Sequence, residues 1–120
     1  MTLTDGIWFG FAEGISPGMI TFDLACFWTG AAAEAKALED GEESFDFYIR
    51  NNNPTNRQVL IAGSARVWYL DATGDITLIE IAPNQWPHPS SYLLCPGEYC
   101  SVWLYVNGGQ ATGIVEQYLP

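Results

Sequence analysis

The chain has 120 residues, 48% hydrophobic and 14% aromatic, with 14 Asp and Glu against 4 Lys and Arg. That length fits a single domain over residues 1–120, and so high an aromatic content excludes a disordered chain. The formal net charge of −10 repels polyanions, so nucleic acid is not expected as a partner, and no apolar run reaches the length of a membrane span.

Gly6 to Glu13 alternates, with Ile7, Phe9 and Phe11 on one face and Trp8 and Gly10 on the other. Ser16-Pro17-Gly18 turns the chain, and Met19 to Ala25 sets Ile20, Phe22 and Leu24 against Thr21, Asp23 and Ala25. The two runs read as an antiparallel hairpin. Thr29 to Asp40 is Ala-rich and predicts a helix, with Thr29 as N-cap and Gly41 closing it. Ala33, Ala37 and Leu38 would give it a close-packing face, whereas Glu39 and Asp40 fall at the unfavourable end of the helix dipole.

Phe45 to Arg50 alternates again and runs into the turn-forming stretch Asn51 to Asn56. Gln58 to Ala62, Ala65 to Leu70 and Ile76 to Ala82 read as three further strands, and the proline-rich segment Pro83 to Ser91 as a loop with His88 exposed. Leu93-Leu94 would pair briefly. The end of the chain forms a hairpin about Asn107-Gly108, with Val102, Leu104 and Val106 on one face and Trp103 and Tyr105 on the other. The expected fold is mainly β: an antiparallel β-barrel of about six to eight strands with one α-helix inserted after the second strand. A sandwich is the other arrangement short strands allow, but only closure removes the sheet edges.

Cys95 and Cys100 bracket Pro96-Gly97-Glu98-Tyr99, a turn that would bring them within disulfide range. Cys26, in the apolar run Leu24 to Trp28, reads as a buried small hydrophobe. A zinc site would need a fourth ligand beyond Cys95, Cys100 and His88, so no metal or cofactor is expected. A disulfide favours export, although Met1 to Asp5 lacks the features of a signal peptide.

The polar run Asp46 to Arg57 holds Arg50, Asn51, Asn53 and Arg57. Their amides and guanidinium forks suit sugar hydroxyls or carboxylates, with Trp68 and Trp103 as stacking faces. A structural loop in which Arg50 pairs with Asp46 or Asp23 accounts for the same residues. Trp8, Trp68 and Trp103 are expected outside the barrel. Asp23 and Asp46 alternate away from the apolar stripes, His88 has no oriented nucleophile, and Glu39, Asp40, Glu42 and Glu43 lack calcium-loop spacing.

Ile20-Thr-Phe-Asp-Leu-Ala25, the helix around Thr29-Gly30-Ala31-Ala32, Glu39-Asp40-Gly41, Asp46 to Pro54 and the closing Val102-Trp103 to Pro120 occur in an order that resembles a group of small secreted or envelope-anchored domains of Gram-positive, mainly actinobacterial, bacteria. The resemblance implies export to the cell envelope and carries no established activity, so it transfers no catalytic residue. The expected function is a non-enzymatic binding or interaction domain for a carbohydrate or a protein. The other readings are a small barrel enzyme acting on an apolar molecule through Tyr48, Asp23, Asp46 or His88, and a purely structural domain.

Overall fold

A computed structural model describes residues 3–44, 46–51 and 55–119. Among the described residues, seven strands and one α-helix run in the order β1 (Gly6–Ser16), β2 (Met19–Thr29), α1 (Gly30–Glu39), β3 (Phe47–Arg50), β4 (Asn56–Asp71), β5 (Thr77–Ile81), β6 (Ser101–Asn107) and β7 (Gln110–Glu116), with a 3-10 turn at Pro83–Gln85. The sheet order is β3-β2-β1-β6-β7-β4-β5, and a further pairing of β2 with β4 closes β1, β2, β4, β7 and β6 into a five-stranded barrel. β3 and β5 hang on its outside. Every pairing is antiparallel except β4 with β7, which is parallel.

The inward stripes of β2 and β6 are those the alternation marks: Ile20 and Phe22, and Val102, Leu104 and Val106. With Val67 and Ile114 they fill the barrel interior. β1 runs the other way. Trp8 and Ala12 face the core, and Phe9 and Phe11 pack outside it. A five-stranded barrel is narrow, so the strand turns its glycine and alanine inward and its large rings outward. Trp8 is therefore not an outer residue, and its indole N–H donates to the Thr4 carbonyl.

β4 is one strand of 16 residues where two short ones were expected. Ile61 pairs with Ala111 of β7 and Arg66 with Gly113, so residues 62–65 bulge opposite Thr112 alone. The apparent break at Gly63-Ser64 is this bulge. Leu93 is buried, but the local bridge is formed by Ser91 with Asp71. The closing turn is centred one residue later than expected. Gly108 and Gly109 both have positive φ, as a type I′ turn requires, and β7 ends at Glu116.

The helix buries Ala33 and Ala37 against β2 and β3, while Leu38 projects into solvent at 78% exposure. Thr29 stands at the N-cap without a side-chain capping bond. Cys26 is exposed, not buried: β2 leaves the barrel after Ala25 to pair with β3, which carries Cys26 off the core. The Cys95–Cys100 disulfide is formed.

Candidate functional site

Strand registers line up side chains on the outer wall of the barrel. Glu80 of β5 pairs with Trp68 of β4, Trp68 with Val115 of β7, Val115 with Trp103 of β6, and Trp103 with Phe9 of β1. Trp68 and Trp103, which the sequence singles out separately, thus share one row with Val115 between them, two strand spacings or about 10 Å apart. The Trp103 ring meets Phe9 at 5.0 Å and Phe27 at 5.7 Å. Its indole N–H donates to the Gln117 side chain at 2.7 Å.

Beside this row lies an open groove of about 490 Å³ lined by Arg66, Trp68, Leu78, Tyr105, Thr112 and Gly113. Its floor depends on Gly113: a Cβ there would lie 3.2 Å from Tyr105, whose ring packs across the glycine. The Arg66 guanidinium lies 4.8 Å from the Trp68 ring centre and donates to both carboxylate oxygens of Glu80, at 2.9 and 3.1 Å. Planar faces, a bidentate ion pair and the Thr112 hydroxyl therefore converge on one concave surface.

Arg50, Asn51 and Arg57 lie elsewhere, along β2. Arg50 donates to Asp40 at 2.9 Å and to Glu39 at 3.2 Å, not to Asp46 or Asp23. It also reaches the Lys36 carbonyl and lies 5.0 Å from the Trp28 ring centre. The acidic helix end thereby finds its counter-charge on β3. Hydrogen bonds from Arg50 and Tyr48 hold the Asp40 carboxyl below its usual range. Asn51 donates to Asp23 at 2.7 Å, and Arg57 to the Thr55 carbonyl at 3.1 Å. Asp23 does face away from the Phe22 stripe, and Asn51 is its partner. Asn53 lies outside the described residues.

A second polar constellation carries no sequence signal of its own. Glu116, 2% exposed, accepts from the Leu70 N–H at 2.8 Å, the Ser91 hydroxyl at 2.7 Å and the Trp86 indole N–H at 2.9 Å. Cys95 Sγ lies 3.9 Å from the same carboxylate. Next to it, Asp71 accepts from the Thr73 hydroxyl, the Tyr69 phenol and the Thr73 N–H, which hold its carboxyl at about 2. The same bond to Asp71, together with burial, pushes the Tyr69 phenol up to about 12. His88 is half-buried, not exposed: its ring stacks on Tyr69 at 4.1 Å, and Nδ1 accepts the Ser90 N–H.

A cleft of about 680 Å³ opens at one end of the barrel, between the β1–β2 turn, the β4 bulge and the segment from Ala82 to Pro87. Its walls are mostly apolar, and Tyr48, Asp23, Asp46 and His88 do not line it. Among the described residues no group of three or more His, Cys, Asp and Glu side chains is placed to hold a metal ion. No protein-family model, curated protein or solved structure matches the chain.

Proposed function

We propose that this chain is a non-enzymatic binding domain of an exported protein, and that it holds a carbohydrate against its outer wall. The observation that carries this reading is the row of Trp68 and Trp103 beside the Tyr105-walled groove. Sugar rings present apolar C–H faces that stack on indole and phenol rings. Their hydroxyls need oriented donors and acceptors, which the Arg66–Glu80 pair and Thr112 supply. The groove is open to solvent, which suits part of a longer chain better than an enclosed small molecule. Export is supported by the Cys95–Cys100 disulfide.

A thermal-shift screen against a glycan panel, with divalent cations and small apolar molecules alongside, tests this. A glycan at a hundredfold its dissociation constant adds about 2.7 kcal/mol of stability, and the hit is expected among glycans. A hit confined to apolar molecules would move the site to the barrel-end cleft, and silence across the glycans would overturn the carbohydrate reading.

A further inference from the structure

We infer that β5 is a docking edge for an extended, basic polypeptide segment, which would add to the sheet as its next strand. The inference does not rest on the carbohydrate reading. β5 is the last strand on its side of the sheet order and pairs with β4 alone. Its far edge therefore presents a row of backbone N–H and C=O groups with no strand opposite among the described residues. Proteins blunt such edges with proline, lysine, bulges or a covering element.

The two ends of this sheet are treated differently. β3 is tied to the helix through the bonds of Tyr48 and Arg50 to Asp40. β5, reading Thr77-Leu78-Ile79-Glu80-Ile81, is short and carries one charge, but that charge is held by Arg66 and the strand contains no proline or lysine. Leu78 and Ile79 point to opposite faces and are 50% and 41% exposed. A strand laid along this edge gains backbone hydrogen bonds. It also gains apolar contacts on both faces, with Leu78 on the groove side and Ile79 on the other. This is the physics of strand addition, in which the main chain supplies affinity and alternate side chains supply selectivity.

Charge selects the occupant. Glu80 within the strand is balanced by Arg66, so the field at the edge is set by the exposed Asp75 just before β5 and by the chain's net charge of −10. A second copy would bring the same acidic strand and another net charge of −10. A basic strand meets attraction where a second copy meets repulsion.

The test uses fluorescence anisotropy with a labelled peptide, Lys-Val-Lys-Val-Thr-Val-Lys. Two controls accompany it: one with Glu in place of each Lys, and one with alternate amide nitrogens methylated. Saturable binding of the Lys peptide is expected, at least tenfold weaker for either control. Ile79→Lys should cut it by a similar factor while leaving any groove ligand bound, because Ile79 faces away from Trp68. Failure of the Lys peptide to bind would overturn the proposal, as would equal binding of either control. So would a dimer in sedimentation equilibrium that Ile79→Lys dissolves while the peptide fails to bind, since the occupant would then be a second copy.

Discussion

Glu116 is the side chain on which the irregular part of the chain depends. Its carboxylate gathers donors from β4, from Trp86 and from Ser91, so it pins the loop between β5 and β6 to the barrel. Glu116→Ala leaves those donors buried without an acceptor and should cost about 3 kcal/mol or more, at about 1–3 kcal/mol for each unsatisfied group. Urea unfolding measures it, and a loss under about 1 kcal/mol would show that water takes over the carboxylate's role. Asp71 gives a pH signature. Its folded carboxyl sits at about 2, below its unfolded value. Its contribution is therefore present above about pH 4 and lost as the pH falls through about 2. Asp71→Asn should flatten that acid limb in a pH series of melting temperatures. An unchanged limb would place the acid sensitivity on other carboxylates.

At the scale of elements, alternation was enough to place most strands, because a two-residue period leaves little choice of face where one side is polar. It could not orient β1, whose faces are both apolar. There the width of the barrel decides, and that is a property of five strands together. Nor could it join the halves of β4, since a bulge at Gly63-Ser64 looks like a turn in one dimension. The helix was legible from its alanines, and the misplaced charges Glu39 and Asp40 from the dipole rule. Their partner Arg50 was not, because it lies on β3. The Cys95–Cys100 bridge closes a short loop. Replacing both cysteines with serine should therefore lower stability by only about 2 kcal/mol in the chain-entropy model. Loss of folding in that variant would mean that the bridge also holds the Glu116 network in place.

At the scale of the molecule, the barrel interior is filled by packed side chains, so the proposed binding is assigned to its surface. The chain turns aromatic rings outward on β1, β4 and β6, and closure brings Trp68, Trp103 and Phe9 into one row across strands distant in sequence. Trp68 and Trp103 could be nominated from the sequence because the stripes opposite them do fill the barrel, whereas the same rule misplaced Trp8. Arg66, Leu78, Tyr105, Thr112 and Gly113 could not, because the parallel pairing of β4 with β7, the hairpin of β6 with β7 and the pairing of β5 with β4 together bring them to one place. Glu116 could not either, because its donors Leu70, Trp86 and Ser91 come from β4 and the loop before β6. The most direct test of the binding account is calorimetric titration of the strongest glycan from the panel into wild type, Trp68→Ala, Tyr105→Ala and Arg50→Ala. The account predicts a loss of at least tenfold, about 1.4 kcal/mol, for the first two variants and unchanged affinity for Arg50→Ala. Unchanged affinity in Trp68→Ala and Tyr105→Ala, with a loss in Arg50→Ala, would contradict it and move the site to the face of β2 and β3.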